Sequence, residues 1–198
     1  MNDKQKVLLL LGLGAAAWWY YTQQSGGGGC CPVVCGNCPP NNSNSPGVFT
    51  NVQAAVVGWQ NVGSGPTWVP YINSVEQQYG FPQDMLAAVA FQESSFNEGV
   101  IRGTTPSSDG LSLGIMQLQT QYYPQLVGPC VPVPYQDSDV QNQINEAASV
   151  FQTNYASLGS WPATIAAWNQ GLSGVQKNGI TSTKYVNNIL GNAPAANA

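Results

Sequence analysis

The chain has 198 residues and a formal net charge of −4, a length that allows one ordinary domain and excludes two large ones. Only 7% of its residues are charged, and five Lys and Arg residues stand against nine Asp and Glu. Because nucleic-acid-binding domains carry a basic patch, this composition argues against nucleic acid as a partner.

The first predicted element is an N-terminal membrane segment. Lys4 and Lys6 precede an apolar run from Val7 to Ala17, and four aromatic residues follow at positions 18–21. As a helix, residues 7–21 would be about 22 Å long, which is short against the roughly 30 Å of a hydrocarbon core. We favour an anchor over residues 1–24 with an interfacial aromatic belt, and a signal peptide cleaved at residues 15–17 is the alternative. Both interpretations put the rest of the chain outside the cytoplasm.

A flexible linker is predicted over residues 25–47, where GGGG, PP and NNSNSP occur in succession. The domain proper is then predicted over residues 48–198.

The chain has five cysteines. Four lie in the linker, Cys30, Cys31, Cys35 and Cys38, and the fifth is Cys130. In an exported chain we expect disulfides, with one cysteine left over for an intermolecular bond or as a thiol. A zinc site is the alternative, but it would need a fourth cysteine because the chain has no histidine. We therefore predict no metal and no cofactor.

Two helices are predicted at the start of the domain. Apolar residues recur at helical spacing through PTWVPYINSVEQQY, and Gly80 provides the stop. The second helix is predicted from about Pro82 to Ser94, because Pro82 suits a first helical position and Asp84 suits the positive end of the helix dipole.

The remaining elements are predicted to be mainly helical. Residues 97–114 are rich in Gly, Ser and Thr and indicate a loop or a short irregular sheet region. A long helix follows and ends at Gly159, another runs from Pro162 through Trp168, and STKYVNNIL forms the last. One face of the long helix is apolar: Val140, Ile144, Ala147, Phe151, Tyr155 and Leu158. The predicted fold class is mainly α, with at most a small β element.

Glu93 is the candidate catalytic residue. It shares a helical stripe with Met85 and Val89, near the C-terminal end of the second helix. Burial on that face and the negative end of the helix dipole would both raise the pKa of its carboxyl group. A carboxylic acid still protonated near neutral pH is what glycosidic-bond cleavage requires. A lone Glu at a helix end is more often a solvated surface residue, so the position alone does not establish catalysis.

Three short sequence motifs, which occur in a fixed order, support a catalytic role for Glu93 more specifically than its position in the helix does. QESSF at residues 92–96, GIMQL at 114–118 and AAWNQG at 166–171 resemble the signature blocks of the soluble lytic transglycosylase family. The resemblance covers roughly residues 68–190. It implies a mainly α, lysozyme-like domain that binds the glycan strands of peptidoglycan in a groove.

The resemblance implies roles for the first two blocks. Glu93 would be the acid and base, and Ser94 would begin the turn that presents it, with Phe96 in the core. The substrate-binding block would comprise Gly114, which allows close approach of a sugar, and Ile115, Met116 and Gln117, with Met116 and Gln117 lining the groove. The alternative for this block is a helix that begins at the glycine, with the methionine in the core.

In the third block the family usually has Tyr where this chain has Trp168, and Asn169 matches the family's Asn. Trp168 would keep an aromatic wall but lose a hydroxyl. The family also has a tyrosine whose hydroxyl contacts the catalytic carboxyl, and Tyr185 is at a fitting position. The alternative for Tyr185 is a buried core tyrosine.

The reaction implied by the resemblance needs no second carboxylate, because the C6 hydroxyl of N-acetylmuramic acid attacks in place of water and a 1,6-anhydro sugar forms. Gly114 nevertheless lies 21 residues after Glu93, several more than is usual for the family. Goose-type lysozymes, related in fold, also carry a longer segment with an aspartate. Asp109 in this segment is therefore a candidate second carboxylate that positions a water, and a solvated loop residue is the alternative reading; Glu98 is a weaker candidate.

Three functions remain open at this point. The leading hypothesis is a membrane-anchored lytic transglycosylase of a bacterial envelope or a phage virion, with other envelope or virion proteins as partners. A hydrolytic lysozyme on the same fold and a catalytically inactive wall-binding protein are the alternatives. Glu93, the GIMQ block and Asn169 together argue against an inactive protein.

Overall fold

The computed structural model describes residues 58–105, 107 and 110–197. The predicted anchor, the linker, four of the five cysteines and the predicted domain start at residue 48 lie outside the described residues. Within the described part, no helix has the length and apolar character needed to cross a membrane. Cys130 is exposed.

The described residues form eight α-helices and one small β-hairpin, with a short 3₁₀ helix at either end. In chain order the helices and strands are a 3₁₀ helix Gly58–Asn61, α1 Gly65–Tyr79, α2 Met85–Ser94, α3 Glu98–Ile101, β1 Ser112–Leu113, β2 Leu118–Gln119, α4 Pro124–Val127, α5 Asp137–Leu158, α6 Trp161–Gln170, α7 Leu172–Asn178, α8 Thr183–Asn192 and a 3₁₀ helix Pro194–Asn197. The two strands are antiparallel, with Ser112 opposite Gln119 and Leu113 opposite Leu118. The prediction of a mainly α fold with a small β element is confirmed.

Glycine ends the first and the longest helix, as predicted. Gly80 after α1 and Gly159 after α5 have φ values of 69° and 68°, in the left-handed region that glycine adopts without a steric penalty. The predicted last helix is also confirmed, as α8.

The predicted start of α2 at Pro82 is wrong. The helix begins at Met85, because Asp84 has a φ of 63° and cannot continue a right-handed helix. Tertiary contacts stabilise this conformation: the Asp84 carboxylate accepts hydrogen bonds from Gln60 at 2.9 Å and from Asn73 at 3.3 Å.

Three short helices differ from the sequence prediction. Helix α3 lies within residues 97–114, which are predicted to be a loop or sheet region, and α4 and α7 have no predicted counterpart. These helices have only four to seven residues. Such a length gives too few turns for an apolar repeat to stand out.

Helix α2 lies in the centre of the core. All six residues from Met85 to Ala90 have no exposed surface, so the helix is enclosed on every side rather than on one face. Helices α1 and α8 pack directly against it, and α5 packs against α1 and α6. The C-terminal end of α2, where Gln92 and Glu93 lie, is therefore where this central helix reaches the surface.

The long helix α5 buries most of the face that its spacing predicts. Val140, Ile144, Ala147 and Phe151 have no exposed surface. Tyr155 departs from the prediction, since it is 37% exposed and stacks on Trp161 with ring centroids 4.1 Å apart. It covers the edge of the core instead of entering it.

Candidate active site

The Glu93 side chain meets Tyr185 across the interface between α2 and α8. The Tyr185 hydroxyl donates a hydrogen bond to Glu93 Oε1 at 2.5 Å, although the two residues are 92 positions apart in the chain. Both side chains are half-buried. This is the contact that the family resemblance implies for Tyr185, and the catalytic roles of both residues remain predictions.

The electrostatic surroundings of Glu93 favour a protonated carboxyl. Burial raises its pKa, while hydrogen bonds from Tyr185 and Trp168 act in the opposite direction and do not cancel the effect of burial. Burial and the neighbouring Glu93 also raise the pKa of Tyr185, so its hydroxyl stays a proton donor in the hydrogen bond. Glu93 is thus an acid held between two hydrogen-bond donors.

The turn after Glu93 has unusual backbone geometry. Ser95 and Phe96 both have a φ of 49°, a region that residues with a side chain seldom occupy. Ser94 closes the turn, because its hydroxyl donates to the Ala90 carbonyl at 2.7 Å and accepts from the Phe96 amide at 3.2 Å. The prediction that Phe96 lies in the core is confirmed, since it has no exposed surface. Ser94 is itself only 3% exposed, so its part in the described structure is to shape the turn.

The GIMQ block packs against α5. Gly114 has a φ of 79°, and a Cβ atom there would lie 2.0 Å from Gln143 Oε1, so the close approach at this glycine is to Gln143. The same Gln143 oxygen accepts a hydrogen bond from the Ile115 amide at 3.2 Å. The block is not the start of a helix, because it forms the connection between β1 and β2.

The side chains of this block differ in exposure. Ile115 and Met116 have no exposed surface, so they present nothing to a groove in this conformation, and their contact with a sugar stays a prediction. Gln117 is partly exposed, has a φ of 47° and donates from its carboxamide to the Gly114 carbonyl at 2.9 Å. Of these three residues, Gln117 has the side chain that a ligand can reach.

The third block reaches the site through α6. Trp168 is half-buried, packs against Phe151 with ring centroids 5.2 Å apart and donates a hydrogen bond to the Glu93 carboxyl. The tryptophan therefore supplies a hydrogen-bond donor as well as an aromatic wall, which the sequence analysis did not anticipate. Asn169 is exposed and lines a cavity together with Tyr185.

This cavity has a volume of about 400 Å³, with walls from α2, α6 and α8 and from residues 181–182. Glu93 is not among its lining residues, but Tyr185, which binds the Glu93 carboxyl, is one of them. Gln170 builds one wall, since its side-chain oxygen accepts four hydrogen bonds at 3.0 Å from the amides and hydroxyls of Thr181 and Ser182. Its amide group donates to the Gly179 carbonyl at 2.8 Å. Gln170 was not among the predicted site residues. Its position in the AAWNQG block is the signal that could have identified it.

The second candidate carboxylate, Asp109, lies outside the described residues. Glu98 is described and is engaged elsewhere: it pairs with Arg102 at 2.7 Å and accepts a hydrogen bond from Ser64. Among the described residues, no other carboxylate contributes to the pKa of Glu93. The part of the chain that the structure describes contains no cluster of potential metal ligands either.

A larger cavity, of about 650 Å³, lies beside Arg102 and residues 134–138. Arg102 there forms ion pairs with Glu98 and Asp137, each at 2.7 Å, and lies over the Trp68 ring. The guanidinium thus joins α3 to the start of α5. None of the candidate site residues lines this cavity, whereas Asn169 and Tyr185 line the smaller one, so its greater size does not make it the reaction site.

The chain was compared with protein-family models, with curated proteins and with solved structures. A family model described as Transglycosylase SLT domain matches residues 70–188, which is more than half of the 198 residues. No curated protein and no solved structure matches the chain. The matched span contains all three signature blocks and Tyr185.

Proposed function

Because the chain belongs to the transglycosylase SLT domain family, we propose that it is a peptidoglycan lytic transglycosylase with Glu93 as its acid and base. The bond cleaved is the β-1,4 bond between N-acetylmuramic acid and N-acetylglucosamine. The observation that carries the proposal is the Glu93 carboxyl itself, whose pKa burial raises while Tyr185 donates to Oε1 at 2.5 Å. This surrounding supports a group that gives up and takes back a proton during the reaction.

In the first step Glu93 acts as an acid. Its proton passes to the glycosidic oxygen as the bond between that oxygen and C1 of N-acetylmuramic acid breaks. The carboxylate that remains is stabilised by the hydrogen bonds from Tyr185 and Trp168, which favour the ionised form. These two donors therefore assist the step in which negative charge develops on Glu93.

In the second step Glu93 acts as a base. It accepts the proton of the C6 hydroxyl of the same N-acetylmuramic acid while that oxygen forms a bond to C1. The product is a 1,6-anhydro sugar, and Glu93 is again protonated. Every atom needed comes from the substrate and from one carboxyl group, which agrees with the electrostatic isolation of Glu93 from the other described carboxylates.

A hydrolytic lysozyme is the second candidate function. The long segment between Glu93 and Gly114 favours it, because this segment contains Asp109, which in that case would position a water to attack C1. The two candidates differ in one chemical outcome, since a hydrolase leaves reducing ends and a transglycosylase leaves anhydro ends.

The cellular setting is part of the proposal. An anchor at residues 1–24 and a linker at residues 25–47 would tether the domain outside the cytoplasm and let it reach the wall, in a bacterial envelope or a phage virion. The basic residues before the apolar run and the GGGG, PP and NNSNSP sequences support this arrangement.

The test is digestion of purified peptidoglycan followed by mass analysis of the products. We expect the wild type to release muropeptides with anhydro ends, each one water lighter than the reducing product. Glu93→Gln is expected to release them at least about a hundredfold more slowly. Glu98→Gln is the matched control, because it makes the same chemical change on a carboxylate that pairs with Arg102, and it should keep the activity.

Two outcomes would contradict parts of the proposal. If only reducing ends appear, the enzyme is a hydrolase and the anhydro step is wrong. If Glu93→Gln clears the wall as fast as the wild type, Glu93 is not the acid and base.

A further inference from the structure

Apart from Tyr185, the residues that line the cavity next to the Glu93–Tyr185 pair have no role in the proposed cleavage steps. Three carboxamide side chains line it, those of Gln92, Asn169 and Asn188, together with hydroxyl-bearing residues at positions 181–183. Its volume of about 400 Å³ falls within the roughly 300–1,000 Å³ of small-molecule sites. Asn188 donates to the Gln92 side-chain oxygen at 3.4 Å, and the hydroxyls of residues 181 and 182 donate to Gln170. The donors and acceptors that remain on the carboxamides suit a polar ligand with amide groups.

Lys184 gives this lining a positive charge. From Cys30 onward the chain has only three basic residues, Arg102, Lys177 and Lys184. Arg102 is occupied by Glu98 and Asp137, whereas Lys184 is exposed and lines the cavity. No carboxylate is among the lining residues in the described part of the chain. The cavity therefore suits an anionic ligand.

The wall around Lys184 is built by specific contacts. Gln170 holds Thr181 and Ser182 through its side-chain oxygen, and its amide group binds the Gly179 carbonyl. Lys184 follows directly at the start of α8, and Tyr185, the next residue, binds Glu93. Lys184 and the tyrosine that binds Glu93 are thus neighbours in α8, and both line the cavity.

We propose that this cavity binds the peptide stem of the N-acetylmuramic acid residue that is cleaved, with Lys184 contacting a stem carboxylate. The inference rests on the proposed function, because it takes peptidoglycan as the substrate. The stem is attached to the muramic acid through amide-linked residues with free carboxylates. The three carboxamides match the amide groups, and Lys184 matches the carboxylate. The enzyme then distinguishes glycan with acidic stems from neutral glycan.

The test is a binding experiment with full-length Glu93→Gln protein, in which substrate cleavage is removed. The probes are two soluble disaccharide–peptides, N-acetylglucosaminyl-N-acetylmuramic acid with a stem whose carboxylates are free and the same compound with those carboxylates amidated. We expect the free acid to bind about threefold more tightly or better at low salt, in keeping with one exposed ion pair, and the preference to shrink as salt is added.

The variants assign the preference to Lys184. Lys184→Gln in the same background is expected to bind both probes equally, while Lys177→Gln, which removes an equal charge outside the cavity, should keep the preference. Equal binding of both probes by the Glu93→Gln protein, or an unchanged preference in Lys184→Gln, overturns the inference. Failure of the proposed function would appear separately, as the absence of anhydro ends from wild-type digests.

Discussion

A carboxyl group whose pKa is raised by burial lies at each end of helix α2, and the surroundings of the two groups differ. At the N-terminal end, Glu76 from α1 is 1% exposed and accepts hydrogen bonds from the amides of Asp84 at 2.8 Å, Leu86 at 2.5 Å and Ala87 at 3.1 Å. At the C-terminal end, Glu93 is half-buried and accepts from two side chains beside an open cavity.

The difference separates a structural carboxyl group from a candidate catalytic one. Glu76 uses both oxygens to satisfy amides that the first turn of α2 leaves without helical partners, so it caps the helix from a neighbouring element. Glu93 does not cap a helix, and a ligand can approach its half-buried side chain. A raised pKa occurs at both ends and therefore does not by itself identify a catalytic group. The two carboxyl groups are distinguished by whether a ligand can reach them and by whether their hydrogen-bond donors are backbone amides or side chains.

The largest expected effect is on Glu93. Glu93→Gln should lower the turnover of peptidoglycan by about 10²–10⁴-fold, because it removes the proton donor and acceptor of both steps. The free energy of unfolding should stay the same or rise slightly, since the variant removes an ionisable group from a half-buried position. Initial rates and urea unfolding measure the two quantities. A marked loss of stability would mean that Glu93 also has a structural role and would weaken the contrast with Glu76.

The next effect is on the other end of the helix. Glu76→Ala should lower the free energy of unfolding by about 2–4 kcal/mol, because three buried amides lose their acceptor and a cavity is left. Gln78→Ala, at an exposed position on the same helix, is the control and should change stability little. Turnover per folded molecule should remain near the wild-type value. If turnover collapsed while the unfolding curve stayed in place, Glu76 would belong to the reaction.

A pH series extends the comparison to the titration of Glu76. Burial raises the pKa of Glu76 from 4.5 to about 7. Because the folded state holds this proton more tightly than the unfolded state, the stabilisation is fully present below pH 4.5 and is lost as the pH rises through about 7. The loss should amount to about 3 kcal/mol. The contribution of Glu76 is obtained by subtracting the unfolding free energy of Glu76→Gln from that of the wild type at each pH. If this difference does not change between pH 4.5 and pH 7, the raised pKa of Glu76 is wrong.

The smallest effect concerns the donors around Glu93. Tyr185→Phe removes a hydrogen bond that favours the ionised carboxyl, so the pKa of Glu93 should rise further. The basic limb of the profile of kcat/KM against pH, which reports the loss of the proton from Glu93, should therefore move to higher pH, and turnover should fall about tenfold. Tyr79→Phe, which removes a hydroxyl outside the site, should change neither quantity. A shift to lower pH would mean that the hydroxyl does not stabilise the carboxylate.

Sequence patterns predicted the framework well where the signal was local. The helical spacing and the glycine stops gave α1, α5 and α8 close to their bounds, because periodicity and capping are encoded in neighbouring residues. They failed at Asp84, where contacts with Gln60 and Asn73 stabilise a left-handed residue that local preference would place in a helix. They also failed for the short helices α3, α4 and α7, which have too few turns to show a period.

The sequence by itself determined the family blocks, the candidate acid Glu93 and the mainly α fold, since each of these depends on a few contiguous residues. The family resemblance also suggested the contact of Tyr185 with the catalytic carboxyl. Only the tertiary structure decided the other polar contacts, which form when the helices pack: Trp168 with Glu93, Glu76 with the first amides of α2, Gln143 with the GIMQ block, and Gln170 with residues 181 and 182. Such residues carry no local pattern, because a lone polar side chain looks the same in sequence whether it faces solvent or satisfies a buried partner.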